Sequence, residues 1–266
     1  MDNLVNQVSV IIPMFNNEST IERALLSIEN QTRSDVINTV FVVDDGSSDH
    51  SIEKVEYLKN KLNVNIILLF NAKKGVSSAR NFGASFVRTN WIAFLDADDF
   101  WLPNKFSMSI SLLNGIKTDM FGGIEAYKGK PEVKRQSALS IGIRYRPVIQ
   151  TTVVRREVFE SVNGFNEDMN YSEDFDFALR VVQKFKVHVI LIEDFKTNPT
   201  KERYGDFGLS SNMAAMQKGI EQSLSHIYKR GGLSKVTYAV LLIWNKVKYV
   251  RRIMNVHKRK IYSRVK

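Results

Sequence analysis

WIAFLDADDFW, residues 91–101, is a short apolar run that ends in three carboxylates, Asp96, Asp98 and Asp99, with Ala97 between the first two. Like charges this close repel one another, which leaves three readings: a cation site, acid–base chemistry, or a turn. A run of the same design lies upstream. NTVFVVDDGSSD, residues 38–49, reads as a buried strand that ends in Asp44, Asp45 and a Gly–Ser turn. VSVIIP (8–13) and VNIILLF (64–70) have the length and composition of two further strands. Helical patterns separate them. IERALLSIENQT carries Ile21, Ala24, Leu25 and Ile28 at helical spacing, a helix is expected from about residue 51 to 61, and another opens at Gly75. Ser19, with Glu22 three residues on, has capping-box spacing. The first hundred residues thus alternate β-α-β-α-β-α-β, which predicts an α/β fold with a mostly parallel, Rossmann-like central sheet flanked by helices. Ligands of such sheets bind beyond the carboxyl ends of the strands. Both acid clusters are therefore expected to face one crevice.

The 266 residues, 44% hydrophobic and 25% charged, suit an ordinary globular chain. There are no cysteines, which excludes disulfides, thiolate metal sites and cysteine nucleophiles. MDNLVNQVSVII, at the start, lacks the basic region and cleavage site of a signal peptide, so a cytoplasmic location is expected. The longest apolar stretch, VTYAVLLIW (236–244), is about half of what a bilayer span needs. Beyond residue 115 the pattern loosens. Residues 116–160 read as short strand-like pieces such as RPVIQTTVVRREVF, followed by an acid-rich helix start, YSEDFDFALR, a strand VHVILIEDF, and a polar loop over 196–212. The net charge of +10 is uneven: residues 222–266 hold 12 Lys and Arg and no acid, leaving 26 basic against 28 acidic residues elsewhere.

Asp96 and Asp98, at i and i+2 in a turn leaving a strand, can converge on one divalent cation. Hard oxygen ligands suit Mg²⁺ or Mn²⁺, and such an ion bridges carboxylates to substrate phosphates. Asp99 reads as a turn or capping residue. Asp44 can accept hydrogen bonds from a base or ribose, although Asp-Gly-Ser is also an ordinary turn. Arg80 can fork onto a phosphate or base, or form an ion pair on a helix surface. Glu173, Asp174 and Asp176 complement a helix N-terminus, which spacing alone does not separate from catalysis.

Taken in order, VSVIIPMFNNESTIERALLSIENQT, VVDDGSSDHS, NAKKGVSSARNFGASFVRTNWIAFLDADDFWLPNK and YSEDFDFALRV resemble the successive motifs of glycosyltransferase family 2 from about Val8 to Val182. The resemblance implies a GT-A fold, a nucleotide-sugar donor (a UDP-sugar by the commonest base) and inversion at the transferred sugar. It assigns Pro13, Phe15, Asn16 and Glu18 to the first nucleotide-binding turn, and Asp44 to the base, with Asp45 beside it. It sets Gly75 and Arg80 against base and phosphates. It makes Asp98 the direct metal ligand, with Asp96 nearer the ribose and metal waters. Asp174 becomes the general base, and Glu173 orients the acceptor. The organisation implied is a nucleotide-sugar-binding half (1–115), an acceptor-binding half of the same domain (116–212) and a basic helical segment (213–266). The Gln-x-x-Arg-Trp motif of processive members is absent, which implies transfer of one sugar. The loop over 196–212 lacks the histidine that many GT-A enzymes set near the metal; Arg203 and Lys201 are the candidates there to clamp the diphosphate. His50, His188, His226 and His257 are scattered and read as structural.

The segment GGLSKVTYAVLLIWNKVKYVRRIMNVHKRKIYSRVK mixes aliphatic, aromatic and cationic residues, as expected for a basic amphipathic helix on an anionic membrane. Packing on its own domain with a solvated basic face is the plainer alternative. No nucleic-acid motif accompanies it. By family analogy the expectation is a peripheral enzyme on the inner face of the cytoplasmic membrane, acting on a polyprenyl-diphosphate-linked glycan in bacterial surface-polysaccharide synthesis. Two rivals remain: a sugar nucleotidyltransferase, which would want a Gly-rich basic N-terminal signature that VIIPMFNNEST lacks, and a non-catalytic nucleotide- or glycan-binding module, against which the acids at 44, 96, 98 and 174 argue.

Overall fold

The computed structural model describes residues 7–124, 127, 129–144, 147–197 and 212–264, with side chains described as far as residue 258. Strands β1 (Val8–Met14), β2 (Ile37–Asp44), β3 (Ile66–Phe70) and β4 (Trp91–Phe94) alternate with helices α1 (Ile21–Glu29), α2 (Ser51–Lys59) and α3 (Val76–Ser85). β4 is followed by β5 (Asp99–Trp101), α4 (Lys105–Leu112), β6 (Met120–Gly122), β7 (Glu132–Arg135) and α5 (Ala138–Ile143). A 3-10 turn (Ile149–Thr151), β8 (Val153–Arg155) and α6 (Arg156–Ser161) lead to α7 (Glu173–Val182), β9 (Val187–Leu191) and β10 (Phe195–Thr197). Two helices, α8 (Met213–Lys229) and α9 (Lys235–Arg264), complete the chain.

Eight strands form one sheet in the order β3-β2-β1-β4-β8-β6-β9-β7. β1 to β4 pair in parallel, as the alternation predicts, whereas β8 and β7 run antiparallel to their neighbours, so the sheet is mixed beyond β4. β6, β7, β8 and β9, all from the 116–212 stretch, extend the same sheet. β1 shows why the core has two layers. Val8, Val10 and Ile12 join the layer shared with α1 and α2, while Ile11 faces the layer shared with α3, α7 and α8. α3 lies directly on the sheet through Gly83, where a Cβ would come within 2.9 Å of both Ile11 and Val43. That close approach brings the start of α3 to the carboxyl edge of β1 and β2.

Several sequence expectations change. The Ser19 capping box does not form: α1 has Thr20 as its N-cap, with no side-chain capping bond, and the Asn17 carbonyl accepts the N–H groups of Thr20 and Ile21. WIAFLDADD is not one strand. β4 stops at Phe94, and β5 pairs with β10 in a separate antiparallel ribbon. The chain over 156–161 is helix α6, starting where β8 ends. Among the described residues, no helix is long and apolar enough to cross a membrane.

Candidate active site

The turns that leave β1 and β2 are latched to each other. Asn16 takes a left-handed conformation (φ 53°), its N–H donates to Ser47 Oγ (2.9 Å), and its Oδ1 accepts from Ser48 N (2.8 Å). Glu18 N donates to Asp49 Oδ2 (3.0 Å) while Glu18 Oε2 accepts from His50 N (3.0 Å). Asn16 and Glu18 thus hold the two turns in register, a use the family resemblance does not predict. Pro13 is half-buried in β1, and Phe15 is 53% exposed at the edge, where it offers a ring face.

Asp44 is buried at the end of β2 and accepts from Gly46 N (3.0 Å) and Ser47 N (3.2 Å). Asp45 organises the next element. It accepts from Asn71 Nδ2 (2.7 Å) and from Gly75 N (2.8 Å), satisfying an amide at the start of α3. Gly75, at φ 125°, occupies a conformation that side-chain-bearing residues rarely adopt, and so lets the loop turn into the helix.

Arg80 stands at the centre. It is 2% exposed; Nη1 donates to Glu173 Oε1 and Nη2 to Asp96 Oδ1, both at 2.8 Å, and the guanidinium lies over the Phe165 ring. Burial opposes its charge, but Asp96 and Glu173 together outweigh that and push its pKa upward. Its fork is thus occupied by two carboxylates, one of them 93 positions away in the chain. Glu173 is held above the ordinary carboxylate range by burial, against the pull of Arg80 and with a further push from Asp174.

The three acids after β4 come together. One carboxylate oxygen from each of Asp96, Asp98 and Asp99 lies within 4.8 Å of the others. The turn reading of Asp99 therefore understates it, since its buried carboxylate joins the cluster. An all-oxygen, anionic donor set fits Mg²⁺ or Mn²⁺. Asp96 is positioned from both sides, Oδ1 by Arg80 and Oδ2 by Gln150 Nε2 (3.0 Å). Gln150 is fixed in turn by Trp101 Nε1, which donates to its carbonyl. The neighbouring Thr151 carbonyl accepts from Lys105 Nζ (2.9 Å), which also pairs with Asp194 (3.1 Å). Burial lowers the Lys105 pKa and raises that of Asp194, although each partially offsets the other's shift.

α7 is preceded by its N-cap residue Ser172, itself left-handed (φ 59°), whose Oγ donates to the Met216 carbonyl of α8 (3.0 Å). Glu173 is thereby set against Arg80, and the half-buried Asp174 follows it on the first turn. Asp176 does not join them; it pairs with Arg180 at 2.7 Å. His188 is buried against Thr118 (2.9 Å), and burial lowers its pKa, as suits a structural imidazole.

The profile described as Glycosyl transferase family 2 matches residues 9–171. The chain belongs to this family. It is 36% identical over 193 residues to an Escherichia coli protein named UDP-Glc:alpha-D-GlcNAc-diphosphoundecaprenol beta-1,3-glucosyltransferase WfgD, covering 69% of this chain and 72% of that one. It is 30% identical over 219 residues to the uncharacterized glycosyltransferase EpsJ of Bacillus subtilis (strain 168), covering 74% of this chain but only 62% of EpsJ. Among solved structures it resembles S. aureus TarS 1–349 in complex with UDP-GlcNAc, with TM-score 0.67, 19% identity, and coverage of 89% and 70%. A mannosyltransferase, PcManGT from Pyrobaculum calidifontis in complex with GDP-Man and Mn²⁺, gives TM-score 0.67 at 17% identity, covering 90% of this chain and 68% of that one. These likenesses show the GT-A fold.

In this glycosyltransferase-family chain the structure gathers Asp96, Asp98, Arg80, Glu173 and Asp174 at one end of the sheet, and places Asp44, Asp45 and Gly75 along the same edge. Arg203 and Lys201 lie outside the described residues. Three contributors went unread in the sequence: Gln150, Asp99 as a cluster member, and Asn81. Asn81 Nδ2 donates to the Phe165 carbonyl and to Glu167 Oε1 (both 2.9 Å), and Oδ1 accepts from Phe165 N (2.8 Å). Its signal was present, as a polar residue beside Arg80 on a helix otherwise rich in small side chains.

Proposed function

We propose that the chain is an inverting, metal-dependent, non-processive glycosyltransferase. It moves one sugar from a nucleotide-sugar, a UDP-sugar, to a lipid-diphosphate-linked glycan in bacterial surface-polysaccharide synthesis. The observation that carries this reading is the Arg80 bridge. One guanidinium ties Asp96, in the acid cluster suited to a diphosphate, to Glu173, the immediate neighbour of Asp174. On this reading the leaving group and the base meet around one point. The name of WfgD supports the donor and acceptor classes, and the Mn²⁺ in PcManGT supports the cation.

In this reading the nucleoside diphosphate lies along the edge formed by Asp44, Asp45 and the start of α3, with Phe15 over the base. A divalent cation held by Asp96, Asp98 and Asp99 supplies charge neutralisation for the departing diphosphate. Asp174 takes the proton of the acceptor hydroxyl as its oxygen bonds to the anomeric carbon and the bond to the diphosphate oxygen breaks from the opposite face. Glu173, buried against Arg80, fixes the direction in which the first turn of α7 presents Asp174. A positioned base of this kind contributes about 10²–10⁴-fold, and holding both reactants together supplies much of the rest. Such an acceptor places the enzyme on the inner face of the cytoplasmic membrane.

Asp174→Asn tests the assignment. It should lower transfer by about 10²–10⁴-fold while leaving Mn²⁺-dependent nucleotide-sugar binding intact by calorimetry. Undiminished transfer by this variant would remove Asp174 from the role of base.

A further inference from the structure

α9 is the longest helix described, and it has two apolar faces. The inner face buries Leu241, Asn245 and Val256. It is pinned to α5 by Trp244 Nε1, which donates to the Ile143 carbonyl (3.0 Å), and by Lys248 Nζ, which donates to the Gly142 carbonyl (2.8 Å). Tyr238 stacks on Tyr228 of α8 with ring centroids 4.5 Å apart. The outer face carries Val236, Val240, Ile243, Val247, Val250 and Met254, each between 43% and 73% exposed. Their spacing of four, three, four, three and four residues keeps them in one stripe along the helix. The stripe runs for about 27 Å at 1.5 Å per residue. At 100° per residue Lys246 falls on one side of it and Arg251 and Lys258 on the other, and all three are exposed.

We propose that this outer stripe is a membrane-docking face, which lies in the surface of an anionic bilayer with the aliphatic side chains at the acyl boundary and the flanking cations among the headgroups. A line of aliphatic residues edged by cations is the pattern of an interfacial helix. The charge excludes the obvious protein partner, a second copy of this chain. Residues 222–266 contain no Asp or Glu, so stripe-to-stripe pairing of two α9 helices would set cation against cation. Nucleic acid would meet the cations but leave the aliphatic line in water.

The bracing gives docking a consequence. α9 packs on α5 and α8, and α8 holds the N-cap of α7 through Ser172 and Met216. The helix on the membrane and the helix that starts with Glu173 and Asp174 are therefore neighbours in one packed unit. Resting on the function proposed above, this holds the acceptor side of the site at the surface where a lipid-linked glycan resides. The docking itself stands on the stripe alone.

The test uses the full chain with vesicles of phosphatidylcholine, with and without phosphatidylglycerol, in a co-sedimentation assay. The wild type should bind the anionic vesicles, bind the neutral ones at least tenfold more weakly, and be released as salt rises. Each surface cation contributes about fivefold, so Lys246→Gln/Arg251→Gln/Lys258→Gln should weaken binding by about 100-fold. Ile243→Ser/Val247→Ser/Val250→Ser, all solvent-facing, should abolish binding yet keep the wild-type melting temperature and Mn²⁺-dependent nucleotide-sugar affinity. Equal binding by wild type and the serine variant would overturn the proposal. So would a wild-type dimer in solution that the serine variant disperses. Loss of nucleotide-sugar binding in a chain that still sediments with vesicles would count against the transferase reading and leave docking standing.

Discussion

Arg80→Met isolates the bridge at the centre of the site. Methionine has comparable reach and no charge, so it leaves Asp96 and Glu173 facing each other without a counter-ion. Breaking a buried pair by removing one partner costs about 3–5 kcal/mol. Asp96 keeps its bond from Gln150, and its side chain is 22% exposed against 12% for Glu173. The cost therefore belongs at the lower end, about 3 kcal/mol, or roughly 6–12 °C in melting temperature for a chain of this size.

The loss should depend on pH in a definite direction. Burial already holds Glu173 above its ordinary 4.5, and Arg80 is the largest influence pulling it down. Without Arg80 the folded value rises further. Between 4.5 and that raised value the folded variant keeps a proton that the unfolded chain has released, so stability falls as pH rises through this window. Below it both states are protonated and the Glu173 contribution vanishes. Urea unfolding should show a larger gap between wild type and variant at about pH 7.5 than at about pH 5. Adding Glu173→Gln should recover part of the loss at the higher pH. A penalty that is equal at both pH values, or below about 1 kcal/mol, would refute the picture of two carboxylates sharing one buried cation.

Two further outcomes follow from the same geometry. Gln150→Ala removes the amide bond to Asp96 Oδ2, worth about 1.5 kcal/mol to a charged acceptor; Mn²⁺-dependent nucleotide binding should weaken about tenfold by calorimetry, and the melting temperature should fall by about 3–6 °C. Asn81→Ala strips the bonds to the Phe165 backbone and Glu167, for about 2–3 kcal/mol, and scanning calorimetry should find the transition lowered by about 4–12 °C.

The parallel half of the sheet is legible because its strands are long enough to show apolar runs and its helices show period and punctuation. Beyond residue 115 the described strands are three to five residues long, and a three-residue strand such as Val153–Arg155 has no periodicity to read. VVRREVF looks extended by its β-branched residues, yet the chain turns into a helix at Arg156. The acids stand out because carboxylates at the ends of apolar strands are locally anomalous. Their partners do not. Arg80 and Glu173 are 93 positions apart, and Gln150, followed by Thr151 and Thr152, is one polar residue among several. Such pairings exist only once the sheet has closed.

Arg80 shares its guanidinium between Asp96 and Glu173, and Asp98 and Asp99 each set a carboxylate oxygen within 4.8 Å of one from Asp96. A nucleoside diphosphate brings more negative charge to the same edge, and each unit of repulsion at about 4 Å amounts to about 4 kcal/mol at an effective dielectric of 20. Donor and cation are therefore expected to bind as one cooperative unit. Arg80, spent on holding Asp96 and Glu173 together, cannot stand in for that cation. In the proposed mechanism neutralisation of the diphosphate therefore falls to a cation held by the acid cluster, while the bridge sets the cluster's position.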